Sequence, residues 1–140
     1  ALENTVYQAY TPRTKLLAER TGAEFSPYYH LAMAKERSDR PTEALQCALN
    51  ALVANPLEPT LYSSAAAYAI DAGDSASALE FLNQGLYVFP IDGSINYMAA
   101  LLSASMGDNE AAKTYITTAK ANAEGDLLTQ INALADKIGG

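Results

Sequence analysis

The sequence predicts an all-α fold built from repeated helical units. Like residues recur at a spacing of 34, as in Pro56 and Pro90, Tyr28 and Tyr62, Gly73 and Gly107, and the series Ala32, Ala66, Ala100 and Ala44, Ala78, Ala112. Hydrophobic residues make up 49% of the chain, and many are alanines, which favour helix. Valine and isoleucine are few and scattered, so the alternating pattern of strands is missing. Such a period is typical of stacked units that bury their apolar faces against one another.

The charge distribution narrows the kinds of partner. The net charge is −7, and residues 41–112 contain eight acidic residues and no lysine or arginine. Such a surface repels phosphate backbones and anionic lipid head groups, so we expect no nucleic-acid ligand and no insertion into membranes. A basic or neutral protein is easier to accommodate. The simpler interpretation, which we favour, is that the acids keep an alanine-rich surface soluble.

Each period contains two helices, called A and B here, joined by a short loop with recognisable chemistry. Pro59 suits the first turn of the second A helix. Gly73 can end that helix, and Asp74 can cap the N-terminus of the following B helix. Gly107 and Asp108 repeat the arrangement one period later. The pattern predicts helix boundaries at these residues.

Small residues recur where helix A crosses helix B. They are Ala32 with Ala44 and Ala51, Ala66 with Ala78 and Gly85, and Ala100 with Ala112 and Ala119. We therefore expect close packing of the two helices. Replacing Ala78 by leucine should overpack this contact and cost about 1–3 kcal/mol.

These residues resemble the tetratricopeptide repeat over about residues 26–124. The matching positions are Tyr28, Leu31, Ala32, Ala44, Ala51 and Pro56, then Tyr62, Ala66, Gly73, Ala78 and Pro90, then Ala100, Gly107, Ala112 and Ala119. The pattern is divergent, most of all in the third repeat, where Asn96 and Glu124 replace the usual aromatic residue and proline. The resemblance implies an α-solenoid, a right-handed superhelix of antiparallel helix pairs.

The repeat spacing divides the chain into one domain of 140 residues with five parts. Repeats are expected over residues 26–58, 59–92 and 93–125, after degenerate N-terminal helices over 1–25 and before a capping helix over 126–140. The capping helix carries Leu127, Ile131, Leu134 and Ile138 on one stripe. Such a helix can cover the open face of the last repeat.

The resemblance also implies a concave inner wall lined by the A helices. Its predicted residues are those next to the packing positions: Tyr29, Met33 and Glu36, then Ser63, Ala67 and Ile70, then Tyr97, Leu101 and Ala104. This largely apolar wall suits a hydrophobic helix or an extended segment with apolar anchors. It equally suits filling by the chain's own N-terminal segment or by a second copy. The only nearby cation is the flanking Arg37, so a clamp for a peptide carboxylate is not expected.

The sequence lacks the combinations of residues that carry catalysis or bind cofactors. His30 is the single histidine, so the chain cannot form a metal site from several histidines, and a Ser–His–Asp triad would have no second histidine in reserve. Cys47 lies among apolar residues and is expected to be a buried filler. We therefore predict a protein that is not an enzyme and has no metal and no cofactor.

Two functional classes remain open at this stage. The first is a non-catalytic interaction module, either a scaffold in a larger assembly or a chaperone for a secreted subunit, because small acidic proteins with three such repeats resemble bacterial type III secretion chaperones. The second is an accessory or regulatory domain of a larger bacterial membrane protein or enzyme, such as a polysaccharide polymerase or ligase, or of a pilus or secretion assembly. The chain begins at Ala1 without methionine, which suits a processed product or an excised domain. Both a cytoplasmic and a periplasmic location fit.

Overall fold

The computed structural model describes residues 26–139, and that part of the chain contains seven α-helices and no strand. The helices are α1 (Pro27–Glu36), α2 (Pro41–Ala54), α3 (Pro59–Asp71), α4 (Ser75–Val88), α5 (Gly93–Ser105), α6 (Asn109–Ala121) and α7 (Gly125–Lys137). The all-α prediction is therefore confirmed. The N-terminal helices expected over residues 1–25 lie outside the described residues.

The helix ends follow the cap chemistry predicted at Asp74 and Asp108, and Asp92 is a further cap of the same kind. Asp74, Asp92 and Asp108 precede α4, α5 and α6, and each carboxylate accepts a hydrogen bond from the backbone N–H three residues later at 3.0–3.1 Å. Gly73 and Gly107 have φ angles of +76° and +80°, in the left-handed region where a side chain is unfavourable. Local chemistry thus sets where these helices start and stop.

The helices stack in chain order. Each helix packs on the next one, and in addition α3 lies against α5 and α5 against α7. This arrangement of successive hairpins is an α-solenoid. Ala66 and Ala78 are fully buried between α3 and α4, as are Ala100 and Ala112 between α5 and α6, which agrees with the predicted crossings.

Gly85 allows a close approach between α4 and its neighbours. A Cβ atom added there would lie 2.9 Å from Cβ of Tyr62 on α3 and 3.1 Å from Cδ1 of Ile95 on α5. Real Cβ atoms do not come that close, so the three helices can meet only because this position has no side chain.

The first helix does not follow the predicted register. Ala32, expected to pack between helices A and B, is exposed on α1, and the prediction is wrong at this residue. The buried residues of the first hairpin's A helix and its end are His30, Ala34 and Arg37. The packing face of α1 is therefore displaced by two residues from the position that the 34-residue spacing predicts.

The physical reason is a shorter first hairpin. Pro27 and Pro41 begin α1 and α2 and are 14 residues apart, whereas Pro59 and Ser75 begin α3 and α4 and are 16 apart. The B helices keep the spacing of 34, but α1 starts only 32 residues before α3. Tyr28 consequently lies on the surface, 65% exposed.

The last helix covers the end of the stack. Ile131, Leu134 and Ala135 of α7 are buried in a cluster with Ala100 and Ile116, and Leu127 and Ile138 pack at its margin. Polar residues occupy the opposite side of the helix, which is exposed. The predicted apolar stripe of this helix is thus the one that faces the last hairpin.

Candidate interaction surface

The predicted binding residues lie on α1, α3 and α5, and the accessible side of these helices next to their buried packing residues is called the A-helix face here. On α3 and α5 the face consists of Ser63, Ala67 and Ile70, followed by Tyr97, Leu101 and Ala104, all of them half-buried. The two helices lie side by side.

Hydroxyl groups of the two helices lie close together on this surface. The Ser63 hydroxyl, whose single hydrogen also has the Thr60 carbonyl oxygen as an acceptor at 3.0 Å, lies 3.2 Å from Oγ of Ser94, and the Ser94 hydroxyl donates to Oδ2 of Asp92 at 2.6 Å. Asp92 is itself held by the Ile95 backbone N–H that it caps. These hydroxyl groups place the start of α5 beside α3.

The large apolar residues of the face have one side packed and the other accessible. Ile70 packs against the main core, the cluster of buried apolar residues to which α2, α3, α4 and α5 contribute. Tyr97 and Leu101 pack against the cluster that α5 shares with α6 and α7. Partial burial removes water from the Tyr97 hydroxyl and raises its pKa, so this group stays protonated at neutral pH. The face therefore offers apolar area together with a hydroxyl that can donate a hydrogen bond.

The residues predicted on α1 occupy a different environment. Tyr29 and Met33 pack against Ala34 and Cys47, in a cluster that Tyr68 of α3 also contacts. The Tyr29 ring lies edge-on to the His30 ring, with centroids 5.2 Å apart. Glu36 is exposed at the end of the helix. Tyr29 and Met33 are thus half-buried in the cluster that α1 shares with α2 and α3, because the packing face of α1 is displaced by two residues.

Counting from the first residue of each helix identifies the equivalent positions on α1. Leu31 is the fifth residue, as Ser63 and Tyr97 are in α3 and α5, and Lys35 is the ninth, as Ala67 and Leu101 are. Leu31 is half-buried against the main core, and Lys35 is exposed.

Sequence reasoning missed these two residues because it aligned Tyr28 with Tyr62. Aligning the helix-starting prolines, Pro27 and Pro59, would have given the correct register. In the register set by the prolines, Lys35 of α1 lies at the A-helix face and brings one positive charge to it. Arg37, expected beside the face, is buried.

The described residues offer no arrangement typical of metal binding. Within residues 26–139 no group of three histidine, cysteine, aspartate or glutamate side chains is placed to hold a metal ion. Cys47 is 1% exposed, in agreement with its predicted role as a buried filler. Among the helices described here, none combines the length and the apolar content that crossing a bilayer requires.

The fold and this face define a stack of helical hairpins of the kind that presents a surface to other proteins. The family model described as tetratricopeptide repeat matches residues 93–124, which contain α5 and α6. The predicted resemblance to this family is confirmed. The match falls on the repeat that the residue pattern marked as most divergent. A search of the curated proteins gives no match to the chain.

Proposed function

We propose that this chain is a non-catalytic protein–protein interaction module that binds an apolar peptide or helix on its A-helix face. The observation that supports the proposal is that α3 and α5 lie side by side and that Ile70, Tyr97 and Leu101 on them are only half-buried. Tetratricopeptide repeats are generally interaction modules, and one matches here.

Tyr97 is the residue that we expect to contribute most to binding. Tyrosine combines a large apolar body with a polar tip and is enriched among the residues that dominate binding energy. Tyr97 is also held by packing against the cluster below it, so little side-chain freedom is lost when a partner binds. An acidic chain without cations between residues 41 and 112 favours a neutral or basic partner.

The experiment that tests this proposal is affinity capture from a native extract, which compares the wild type with a variant whose A-helix face is blocked. Ala67→Arg places a long side chain on the A-helix face, and Ala133→Arg makes the same change at an exposed position of α7. We expect the wild type and Ala133→Arg to retain a partner protein that Ala67→Arg does not retain. Retention of the same proteins by all three forms would contradict binding at this face.

A second pair of variants measures the contribution of the aromatic side chain. Tyr97→Ala should weaken the binding of the captured partner by at least about 2 kcal/mol. Tyr87→Ala, at a position that is 90% exposed on α4, should leave the affinity unchanged. Thermal unfolding of both variants separates lost binding from lost structure. The identity of the captured protein then distinguishes a scaffold, a chaperone and an accessory domain.

A further inference from the structure

A second apolar surface lies between the B helices α4 and α6. A groove of about 200 Å³ separates these helices, and Ala99 and Leu102 of α5 form its base. Leu79 and Leu86 of α4 line one wall. None of the residues that line this groove belongs to the A-helix face, so it is a separate surface.

The groove exposes large apolar side chains to water. Leu79 is 45% exposed, and Met106, in the turn after α5, is 63% exposed. Tyr115 of α6 is half-buried on the far wall. Leaving such residues uncovered gives up apolar burial, and clusters of them mark interaction sites. Small-molecule sites are usually about 300–1,000 Å³, so this smaller groove suits a few side chains of a protein partner instead.

The charged residue that lines the groove is acidic, and so are two residues next to its lining in sequence. Asp108 is one of its lining residues. Glu80 and Glu110 are exposed and directly adjoin the lining residues Leu79 and Ala111 in sequence. The first cation after this region, Lys113, lies 3.8 Å from Glu110 in an exposed ion pair, which screens only a part of the negative charge.

We propose that this groove binds an amphipathic helix of a partner protein, with aliphatic side chains inserted between α4 and α6 and with lysine or arginine residues on both sides of them. The apolar lining accounts for the inserted side chains, and Asp108 with the adjoining glutamates accounts for the flanking cations. A helix fits because its i and i+4 side chains form a ridge that packs into the groove between two neighbouring helices.

The test uses the whole chain and a labelled synthetic helical peptide with leucines at i, i+4 and i+7 and lysines at the flanking positions. Fluorescence anisotropy measures its affinity at low and at physiological salt. Two control peptides carry either serine in place of leucine or glutamate in place of lysine. We expect binding of the leucine–lysine peptide only, and weaker binding as salt rises.

The protein variants locate the site of that binding. The double variant Leu79→Ser/Met106→Ser should bind the peptide at least about tenfold more weakly than the wild type. Tyr87→Ser on the same α4 helix and Ala67→Arg on the A-helix face should bind it as the wild type does. Asp108→Asn keeps a good helix cap and removes one charge, so it should weaken binding only at low salt.

Several results would overturn the proposal. Equal affinity of the wild type and Leu79→Ser/Met106→Ser would show that the groove is not the site. Loss of binding in Ala67→Arg would place the peptide on the A-helix face, and equal binding of the glutamate peptide would remove the role of charge. A dimer that disappears in Leu79→Ser/Met106→Ser, without peptide binding to the wild type, would assign the groove to a second copy.

Discussion

Tyr62 and Asn96 stand 34 residues apart and make the same hydrogen bond with different chemical groups. The Tyr62 hydroxyl donates to the carbonyl oxygen of Pro56 at 2.7 Å, and the Asn96 amide donates to that of Pro90 at 3.1 Å. Each bond ties an A helix to the turn that precedes it. Asn96, which the sequence pattern counts as a departure from the family, therefore preserves the contact that an aromatic hydroxyl makes one repeat earlier.

This relationship predicts the cost of removing each donor. Tyr62→Phe should lower the free energy of unfolding by about 0.5–1.5 kcal/mol, because it removes one partly buried hydrogen bond and keeps the ring. Asn96→Ala should cost more, about 1–3 kcal/mol, because the amide also donates to the Asp92 carbonyl at 2.8 Å. Urea unfolding measures both, with Tyr87→Phe as an exposed control. Unchanged stability of Tyr62→Phe would contradict this role of the hydroxyl.

The two-residue displacement of α1 predicts opposite outcomes for two neighbouring alanines. Ala34→Leu should destabilise the protein by about 1–3 kcal/mol, because Ala34 is fully buried against Cys47. Ala32→Leu should change stability by less than about 0.5 kcal/mol, because Ala32 is exposed. Thermal unfolding compares the two, and Ala78→Leu, at a fully buried crossing, is the positive control. The reverse order of the first two variants would restore the register based on Tyr28 and Tyr62.

Two effects of opposite sign act at Gly85. Alanine is the better helix former by about 0.5–1 kcal/mol, but its Cβ would approach Cβ of Tyr62 to 2.9 Å. A Cβ atom moves only with its backbone, so we expect the overpacking cost of about 1–3 kcal/mol to prevail and Gly85→Ala to melt at a lower temperature. The neighbouring exposed variant Gln84→Ala should melt as the wild type does. A higher melting temperature for Gly85→Ala would show that α3 and α4 separate easily.

The cap of α4 predicts a dependence on pH. Hydrogen bonds from the Ser77 hydroxyl, at 2.6 Å, and from the Ser77 backbone N–H lower the pKa of Asp74 below its ordinary value of 3.8. Because the pKa is lower in the folded state, the cap's contribution is present above pH 3.8 and is lost as the pH falls through the folded-state pKa.

Comparison with Asp74→Ala checks this dependence. The wild type should be more stable than the variant at neutral pH, and the difference should shrink as the solution is acidified below the ordinary carboxyl range. Urea unfolding at several pH values measures the difference. A difference that stays constant down to the acid limit of folding would show that the carboxylate charge does not contribute.

The features that the sequence predicted correctly depend on contacts within a few residues. A proline in a first turn, a glycine with positive φ and an aspartate that accepts from the backbone N–H three residues later act locally, so they located the start of α3, the turn between α3 and α4 and the turn between α5 and α6. Buried alanines at the crossings follow from the same period. The all-α class and the repeat were therefore readable in the chain itself.

Tertiary packing alone decided the features that involve several helices at once. Pro27 marks in the sequence where α1 begins, but the burial of Ala34 and Arg37 depends on how this shorter hairpin packs against its neighbours. Asn96 can stand in the place of a tyrosine because its amide reaches the Pro90 carbonyl oxygen, and the groove between α4 and α6 exists because residues of α4, α5 and α6 that are distant in sequence line one space. A local pattern specifies turns and caps, whereas the rotation of a helix is a balance among all the surfaces that pack against it.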